Sequence, residues 1–508
     1  MIPAFTGIVY LVGAGPGDPG LLTVRGRDLL ATCDVIATDA LANPVIVAAA
    51  RLANPAVEVL DVGKRGGSTG SASQDAINAR LVQLGRAGKR VVRLKGGDPL
   101  VFGRGSEEAQ ALAAAGVAFE FVPGVTAGIA APAYAGIPVS HRGVATSVTF
   151  VTGHEDPSKS DMQTDWSALA RAGGTIVLYM GVKSLPRITS ALMAGGMSPE
   201  TPAAAVQWGT HARQRTVVAT VATLADAIAR EGLGAPVITV IGDVVSLRDE
   251  IAWFDRRPMF GKRVVVTRAS AQATGLRDAL AALGADVIEL PALRIEQLDD
   301  APLRAAVARL DEFAWVIFTS QNAVQIAWDA LFAAGHDTRA FAQTRVACVG
   351  SATRDALRAR GIIADVVPDR YVAEGVLEAM GSRDDVRGAR VLYLCAEGAR
   401  DVLPSGLRAI GCEVTVAPVY RSVATGTASE ALRAALSDGA AAVIFASASA
   451  VRGYVDAVGE ESARRIAAVS IGPVTTDAIH AAGIPFGAEA TEASVAALVD
   501  ATCRFVTA

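Results

Sequence analysis

The stretch VVRLKGGDPLVFGRGSEE, from Val91 to Glu108, joins an apolar run, a glycine turn and an acid in an order that suggests a ligand site. A short apolar run bounded by glycine predicts a buried parallel strand, and Gly96 and Gly97 let the backbone approach a ligand that any Cβ would block. Asp98 then follows the strand's carboxyl end, and ligands of open α/β sheets bind at that edge. The structural alternative is a tight turn in which Asp98 caps the next helix.

Other predicted strands also end in polar or glycine-rich segments. They are Ile8 to Val12 before GAGPGDPG, Val35 to Ala37 before Thr38 and Asp39, Val57 to Val62 before GKRGG, and Phe119 to Val122 before PGVTAG. Since parallel strands share one carboxyl edge, we expect their polar groups to converge there. Charge alone favours a solvated loop for Lys64 and Arg65, but the repeated pattern favours a site.

The loop GAGPGDPG matches a phosphate-binding glycine loop only in part. Gly13 and Gly15 precede a predicted helix from Leu21 to Leu30, as in a dinucleotide site. Pro16 and Pro19 each remove a backbone N–H donor where a phosphate cradle needs several. The loop therefore predicts a ligand without phosphates.

A small-residue segment, AAPAYAGIPVSHRG, follows the fifth predicted strand. Gly136 and Pro138 break its helix, and His141 and Arg142 then supply a polar pair. A lone histidine is more often structural than functional.

Composition limits the class of protein. The 508 residues are 51% hydrophobic, 19% charged and 5% aromatic, with 50 glycines, which is typical of Ala-, Val- and Gly-rich α/β domains. The net charge of -4 provides no general attraction for nucleic acid or an anionic membrane. An anionic substrate must therefore meet local clusters of arginine and lysine.

The cysteines and the amino-terminal residues predict a cytoplasmic protein. Neither a secretion signal nor a membrane-spanning run of about 18 apolar residues is found. The five cysteines show no ligand-like spacing: Cys33, Cys348, Cys395, Cys412 and Cys503. We therefore expect reduced thiols, no metal site, and no nucleic-acid or membrane partner.

The charged segment DRRPMFG, which begins at Asp255, predicts a domain boundary near residue 258. Beyond it, predicted strands and helices alternate again, and small polar clusters open several helices. The clusters are TSQNAV at 319, VGSAT at 349, CAEGARDVL at 395, ASASAV at 446 and IGPVTT at 471. Hydroxyl and free amide groups at helix starts favour anions. A second nucleotide-binding or regulatory domain is also consistent with this pattern.

The first half resembles the uroporphyrinogen-III C-methyltransferases, which are tetrapyrrole methylases, from about Ile8 to Phe254. The resemblance rests on motifs in matching order and spacing. They are VGAGPGDPGLLT, DVIATDAL, VGKRGG, VVRLKGGDPLVFGRG, VPGVTAGIAAPAYAGIPVSHRG, FVTGH, DW at 165 and 166, LYMG and GTHARQR. It implies a two-lobed α/β fold that binds S-adenosylmethionine (SAM) between its lobes.

The resemblance also implies roles for individual residues. The SAM contacts are Pro16, Gly96, Gly97, Asp98, Val101, Thr126, Ala127, Met180 and Gly209. Asp39 and Lys64 match the family's proposed base and acid. The alternative for Asp39 is to orient the ring. The cationic candidates for the eight carboxylates of uroporphyrinogen are Arg25, Lys64, Arg65, Arg104, His141 and Arg142. A cationic sulfonium suits a loop with few N–H donors, since carbonyls, a carboxylate and apolar walls can hold it.

Three positions depart from the methyltransferase pattern. Thr38 stands where an aromatic residue is common, Ser106 stands where glycine is usual, and residues 68–73 lack a frequent histidine. These departures concern substrate contacts more than SAM binding.

The second half resembles uroporphyrinogen-III synthase. The motifs are VVVTRA, WVIFTSQNAV, VACVGSATRDALRARGI, VYR, VIFASASAV and SIGPVTTDAIHAAGI. This family has two α/β lobes joined by a hinge, which we expect at Leu290 to Ile295 and at Val416 to Ser422. Hydroxymethylbilane would bind between the lobes.

Tyr420 matches the hinge tyrosine of that family and is the candidate for assisting departure of hydroxide. Thr319, Ser320, Ser447 and Thr475 would bind or orient the substrate. The alternative for Tyr420 is a structural role beside a strand.

Together these inferences predict an α/β protein with a methyltransferase at residues 1–257 and a synthase at residues 258–508. It would close hydroxymethylbilane to uroporphyrinogen III and methylate it twice with SAM to precorrin-2. The alternatives are a methyltransferase for a later corrin intermediate and a methyltransferase with a non-catalytic, synthase-like regulatory domain. The resemblance implies a homodimer through the first half. Channelling, and a sirohaem or cobalamin destination, are left open.

Overall fold

The computed structural model describes residues 7–63, 73–153, 164–267, 270–290, 293–299, 301–369, 373–424, 436 and 439–508. Backbone contacts divide the chain into two units, Met1–Gly261 and Lys262–Ala508. Each unit contains two five-stranded sheets among the described residues. Lys64 and Arg65, two of the predicted site residues, lie outside these ranges.

The first sheet is parallel, has helices on both faces and follows the strand order β3-β2-β4-β1-β5. The strands are β1 (Ile8–Gly13), β2 (Val35–Thr38), β3 (Glu58–Asp61), β4 (Arg90–Lys95) and β5 (Ala118–Val122). The helices are α1 (Val24–Leu30), α2 (Pro44–Ala53), α3 (Gln74–Arg86), α4 (Gly105–Ala114) and α5 (Ala127–Tyr134). Side chains alternate along β4, so Val91 packs towards α3 and α4 while Val92 and Leu94 pack towards α1 and α2. The five carboxyl ends therefore share one edge, as the polar strand ends predict.

The second sheet is mixed and follows the order β6-β7-β10-β8-β9, with only β6 and β7 parallel. The strands are β6 (Val148–Thr152), β7 (Thr175–Tyr179), β8 (Pro202–Gln207), β9 (Arg215–Thr220) and β10 (Val237–Ile241). The helices are α6 (Trp166–Ala172), α7 (Leu185–Ala194), α8 (Leu224–Glu231) and α9 (Arg248–Ile251). Ala131 of α5 and Ala135, which follows this helix, pack on one face of this sheet. Helix α5 therefore packs on the second sheet, although it follows the last strand of the first.

The apolar run from Val237 to Val245 predicts a single strand, and this prediction is wrong beyond Ile241. Gly242 adopts φ 138, and residues Asp243–Leu247 form a 3-10 helix. The apolar valines of that turn are still buried, so hydrophobicity alone did not reveal the end of the strand.

The third sheet opens the second unit and is parallel, in the order β12-β11-β18-β19-β20. The strands are β11 (Arg263–Val266), β12 (Asp286–Glu289), β18 (Ala442–Phe445), β19 (Ala468–Ser470) and β20 (Phe486–Glu489). The helices are α10 (Ser270–Ala282), α16 (Ala448–Val458), α17 (Glu460–Ala463), α18 (Pro473–Ala481) and α19 (Val495–Thr507). Val265, Val443 and Phe445 face α16 and α18.

The fourth sheet has the order β13-β17-β16-β14-β15, and only its β13–β17 pair is antiparallel. The strands are β13 (Leu293–Gln297), β14 (Trp315–Phe318), β15 (Arg345–Cys348), β16 (Arg390–Ala396) and β17 (Glu413–Ala424). The helices are α11 (Ala301–Val307), α12 (Gln321–Ala333), α13 (Ser351–Arg358), α14 (Ala373–Gly381) and α15 (Val402–Ala409). Alternate residues of β14 pack into the hydrophobic cores on opposite faces of the sheet. Val316 and Phe318 lie on one face, and Trp315 and Ile317 lie on the other.

The chain passes from the third sheet to the fourth between β12 and β13, and it returns between β17 and β18. Strand β13 pairs with the end of β17, from Leu293 opposite Ala424 to Gln297 opposite Tyr420. This ribbon overlaps the two stretches predicted for the hinge. The residues Val414 to Val416 predict a short strand, but the observed strand is much longer because β17 pairs first with β16 and then with β13.

These four sheets confirm the predicted fold class, α/β with two lobes in each half. None of the helices that the structure describes has the length and apolar character to cross a membrane.

Tyr454 in α16 provides a test of packing in the second unit. It is fully buried, its ring meets Phe445 edge-on at 5.4 Å, and its hydroxyl has no hydrogen-bond partner among the described residues. Burial raises the pKa of Tyr454 to about 12, so the hydroxyl keeps its proton at neutral pH. We expect Tyr454→Phe to leave the free energy of unfolding unchanged or to raise it by about 1–3 kcal/mol.

Thermal unfolding of the full chain measures this effect. Tyr134→Phe is the matched change, because the Tyr134 hydroxyl donates to Asp18 Oδ2 at 2.7 Å. That variant is expected to be destabilised by about 1–3 kcal/mol. A destabilised Tyr454→Phe would show that its hydroxyl has a partner.

Candidate functional site

Glycines hold the loops after β1, β4 and β5 in backbone contact. The N–H of Gly97 donates to the carbonyl of Gly15 at 2.7 Å, and the N–H of Gly15 donates back at 3.2 Å. A Cβ on Gly124 would lie 2.3 Å from the carbonyl oxygen of Gly97 and 2.7 Å from the Cα of Gly13. Because both obstacles are backbone atoms, only glycine allows this packing.

The carboxylate of Asp98 binds the same loops. Its Oδ1 accepts from the N–H of Leu100 at 2.8 Å, and its Oδ2 accepts from the N–H of Gly124 at 3.0 Å. Asp98 therefore closes a turn and ties the loop after β4 to the loop after β5. It does not cap α4, which begins at Gly105 after Arg104. Its contact with SAM stays a prediction.

Tyr179, at the end of β7, joins the second sheet to the loop after β5. Its hydroxyl lies 2.7 Å from Thr126 Oγ1 and accepts from the N–H of Gly128 at 2.8 Å. A Cβ on Gly128 would lie 2.3 Å from that hydroxyl. Burial raises the pKa of Tyr179, and these hydrogen bonds oppose that effect. Of the predicted SAM residues, Thr126 is therefore hydrogen-bonded to this buried tyrosine, and Met180 directly follows it in the sequence.

Asp18 forms a second bridge between the two sheets. Its backbone N–H donates to Thr210 Oγ1 at 2.9 Å, and its carboxylate accepts from the Tyr134 hydroxyl at 2.7 Å. Thr210 follows the predicted SAM residue Gly209, whose Cβ would lie 2.2 Å from that of Ala131 in α5. The loop of Pro16 is thus held against the loop of Gly209.

Strained backbone marks the same region. Five described residues other than glycine adopt a left-handed φ: Phe102, Arg104, Met180, Trp208 and Thr210. Each costs on the order of 1–3 kcal/mol, and such residues cluster at functional sites. Phe102 follows Val101, and Trp208 and Thr210 flank Gly209. The strain therefore falls on or beside three predicted SAM contacts and on one predicted substrate cation.

Apolar side chains line the junction of the two sheets. Leu100, Phe102 and Met180 are 53%, 40% and 54% exposed, and the rings of Phe102 and Tyr179 are 4.9 Å apart. Val101 and Ala127 pack against the core that contains Tyr179. Apolar side chains beside glycine loops suit the binding of an adenosyl group and a sulfonium cation.

Asp39 lies directly after β2, beside the glycine loop. Its Oδ1 accepts from the N–H of Leu41 at 3.2 Å, and its Oδ2 lies 3.6 Å from Arg93 Nη2. A Cβ on Gly96 would lie only 2.8 Å from the Cβ of Leu41, so this glycine packs closely against the residues that follow Asp39. The side chain of Asp39 is 21% exposed, so it is open to a ligand while one cation faces it.

A buried group of charges behind Asp39 was missed by the sequence analysis. Glu108 Oε1 accepts from Arg93 Nε at 3.1 Å and from Lys95 Nζ at 2.9 Å. Burial lowers the pKa of Lys95, the Arg93 guanidinium adds to this, and Glu108 opposes it. The available signal was the alternation of VVRLK, which places Val91, Arg93 and Lys95 on one face.

The predicted substrate cations are not gathered as closely. Arg25 pairs with Glu120, in the middle of β5, at 3.2 Å, and Arg104 pairs with Glu107 at 2.7 Å. His141 and Arg142 are exposed. Substrate contacts from all of these residues stay predictions.

In the second unit, the fourth sheet brings three predicted residues together. Thr319 and Ser320 follow β14, where Thr319 Oγ1 donates to the carbonyl of Leu394 at 3.2 Å. Ser320 caps α12 by accepting from the N–H of Ala323 at 3.1 Å. The buried Tyr420 donates its hydroxyl to Ser320 Oγ at 3.0 Å.

Ser447 and Thr475 lie at the carboxyl edge of the third sheet. Ser447 caps α16 through the N–H of Ala450 at 3.2 Å, and Thr475 is buried in the first turn of α18. Helix α16 contacts β13 and β17, the ribbon that carries Tyr420. Within the described ranges, no three His, Cys, Asp or Glu side chains gather as metal ligands would.

Two family profiles match the chain. Residues 8–225 match the Tetrapyrrole (Corrin/Porphyrin) Methylases, and residues 275–500 match Uroporphyrinogen-III synthase HemD. The two matches fall in the first and second units respectively.

Individual relatives agree with the profiles. The porphyrin biosynthesis protein HemD of Ruminiclostridium josui is 36% identical over 478 residues, 93% of each chain. The S-adenosyl-L-methionine-dependent uroporphyrinogen III methyltransferase of Methanosarcina barkeri is 51% identical over 243 residues, 48% of this chain and 94% of that protein. A crystal structure of uroporphyrin-III C-methyl transferase from Thermus thermophilus, complexed with S-adenyl homocysteine, is 36% identical, with a TM-score of 0.40, and covers 47% of this chain and 100% of its own. The two profile matches and the HemD relative show that the chain belongs to the porphyrin biosynthesis proteins that join a tetrapyrrole methylase to a uroporphyrinogen-III synthase, as a bifunctional enzyme of tetrapyrrole biosynthesis.

Proposed function

We propose that the second unit closes hydroxymethylbilane to uroporphyrinogen III and that the first unit methylates this product twice with SAM, giving precorrin-2. The observation that supports the methylation most is the convergence of strained residues and glycine loops on the predicted SAM positions beside Asp39. The fusion joins two enzymes that catalyse consecutive reactions, because the product of the synthase is the substrate of the methyltransferase. We place the product in the sirohaem or cobalamin branch.

The first unit binds and orients both reactants in this proposal. SAM, when bound, supplies an electrophilic methyl group on its sulfonium. The apolar side chains of Leu100, Phe102 and Met180 exclude water, and orientation of two reactants is worth up to roughly 7–11 kcal/mol. Methylation leaves a positive charge on the pyrrole ring, which is discharged when the ring system loses a proton. Asp39 accepts that proton, and Arg93 holds the Asp39 carboxylate. Lys64 is proposed as the acid.

The second unit acts on a substrate that carries many carboxylates. Hydroxyl groups and free amides at the starts of α12, α16 and α18 are proposed to bind those carboxylates, with Thr319, Ser320, Ser447 and Thr475 as contacts. Tyr420 is proposed to donate its hydroxyl proton to the departing hydroxide. Attack at the substituted carbon of ring D and a spiro rearrangement then close the inverted ring.

Product analysis of the purified full chain tests both activities. Given hydroxymethylbilane alone, the protein should form isomer III, and with SAM it should form dimethylated precorrin-2. Formation of isomer I alone would indicate a synthase-like domain without turnover. Isomer III without methylation would point to a later corrin substrate for the first unit.

Tyr420→Phe is expected to lower the synthase rate about tenfold or more and to leave methylation of added uroporphyrinogen III unchanged. The substitution keeps the ring but removes the proton donor. General acid catalysis typically raises a reaction rate by about 10²–10⁴-fold. Tyr393→Phe, another buried tyrosine on the same sheet, is the control. Equal synthase rates for wild type and Tyr420→Phe would leave Tyr420 a structural role.

The family resemblance further supports a cytoplasmic homodimer formed through the first unit. Sedimentation of the full chain should give about twice the 52.0 kDa chain mass. A sedimenting species of single-chain mass would contradict the dimer.

A further inference from the structure

Glu108 occupies an unusual position for a carboxylate. It lies in α4 with 0% of its surface exposed, and Arg93 and Lys95 of β4 are only 3% and 4% exposed. The rest of that face of the sheet is apolar, since Val91 packs there against Leu81 and Leu112. Burial of three charges in an apolar core costs several kcal/mol per ion unless each is compensated.

The hydrogen bonds of Glu108 are uneven. Oε1 accepts from Arg93 Nε at 3.1 Å, from Lys95 Nζ at 2.9 Å and from Gln74 Nε2 at 3.4 Å. Oε2 is buried and has no hydrogen-bond partner within the described part of the chain. A buried ion pair is weak support for stability, and apolar replacements are often as stable. The stability of the fold therefore does not account for this group.

The second link runs from Arg93 to Asp39. Arg93 Nη1 donates to the carbonyls of Ala37 and Leu94 at 3.3 Å each, and Nη2 lies 3.6 Å from Asp39 Oδ2. With Nε on Glu108, the guanidinium is oriented from three sides. Its plane cannot turn without loss of a buried hydrogen bond.

We infer that Glu108 is a positioning residue for Asp39: it holds Arg93 against that carboxylate and offsets the positive charge of Arg93 and Lys95. The inference rests on the proposed role of Asp39 as base. When Asp39 takes up a proton it loses its negative charge, and Arg93 and Lys95 then depend on Glu108 alone for compensation. Without Glu108, the two cations favour the ionised form of Asp39 more strongly, so Asp39 accepts a proton less readily.

Other charged groups near these residues stay unchanged in the test. Arg104 lies within electrostatic range of Asp75 in α3 and of Glu107 and Glu108. Asp61, at the end of β3, lies opposite Thr38, which precedes Asp39. None of them changes in the variants below. A difference between variants in the pH of the acid limb therefore reports the charge at Glu108 or Lys95.

Glu108→Gln is expected to lower the kcat of methylation about tenfold and to move the acid limb of the pH–rate profile to lower pH. Binding of S-adenosylhomocysteine, measured by calorimetry, should stay within about twofold, and the synthase rate should not change. Glu231→Gln, the same change in an exposed pair with Arg215, is the control. In the Asp39→Asn background, Glu108→Gln should add less than about twofold, because coupled residues are not additive.

A charge-rescue variant separates positioning from simple damage to the fold. Glu108→Gln combined with Lys95→Met removes one charge of each sign and should return the acid limb towards its wild-type position. Carbon-13 NMR gives a second readout that needs no turnover. The carboxyl signal of Asp39 is assigned by its absence from Asp39→Asn. Its titration midpoint should fall in Glu108→Gln and return towards the wild-type value in the double variant.

Two results would overturn the inference. One is an equal loss from Glu108→Gln in the wild-type and Asp39→Asn backgrounds, and the other is an acid limb that does not respond to Lys95→Met. Full activity of Asp39→Asn alone would instead remove Asp39 from the proposed function, which keeps the two failures distinct.

Discussion

Asp39→Asn is expected to lower the kcat of methylation by about 10²–10⁴-fold while S-adenosylhomocysteine still binds. Asparagine keeps the size of the side chain and can still accept from the N–H of Leu41. It loses the negative charge that faces Arg93 and the ability to take up a proton. Single-turnover methylation of uroporphyrinogen III measures the rate, and calorimetry measures binding.

Asp34→Asn is the matched control for this substitution. Asp34 precedes the same strand at its amino end, where its carboxylate accepts from the N–H of Arg90 at 2.7 Å. Its variant should keep the wild-type rate. If Asp39→Asn loses less than tenfold, Asp39 orients the ring at most, and the proton passes to another acceptor.

Gly124→Ala should weaken binding of S-adenosylhomocysteine by about 10- to 100-fold. The new Cβ would meet the Gly97 carbonyl at 2.3 Å and the Gly13 Cα at 2.7 Å, and neither can rotate away as a side chain does. The three loops must separate, which typically costs about 1–3 kcal/mol, and each 1.4 kcal/mol is about tenfold in affinity. The separation also strains the hydrogen bond that the N–H of Gly124 donates to Asp98.

Gly234→Ala controls for loss of glycine in the same unit, since a Cβ there meets nothing within 4 Å. It should bind as wild type does. The synthase rate of Gly124→Ala serves as an internal standard, because the change lies in the other unit. Unchanged binding by Gly124→Ala would place the SAM site away from this glycine junction.

The sheet edge was predictable because its signals are local. Glycine, proline and acidic residues end an apolar run within a few positions, and parallel strands bring such ends to one edge. These local signals therefore predict that Asp39, Gly97 and Thr126 lie at one edge of the sheet. The motifs of both families are also local in sequence, so the fold class followed from them.

Partners far apart in sequence were decided only by the tertiary structure. Asp98 accepts from the N–H of Gly124, 26 residues away, so the loops after β4 and β5 are linked by a contact that no local pattern indicates. The Tyr179 hydroxyl meets Thr126 across 53 residues and thereby links the two sheets.

The charges behind Asp39 show the same limit most clearly. The alternation of VVRLK assigns Arg93 and Lys95 to the face of Val91 from sequence alone. Periodicity sets the face of a strand but not the side chain that lies opposite, and a buried cation is tolerated only where the fold supplies an anion. Packing of α4 on that face brings Glu108 to Arg93 and Lys95 and connects them to Asp39, so the sequence determined the sheet edge and the tertiary structure determined the electrostatics of the candidate base.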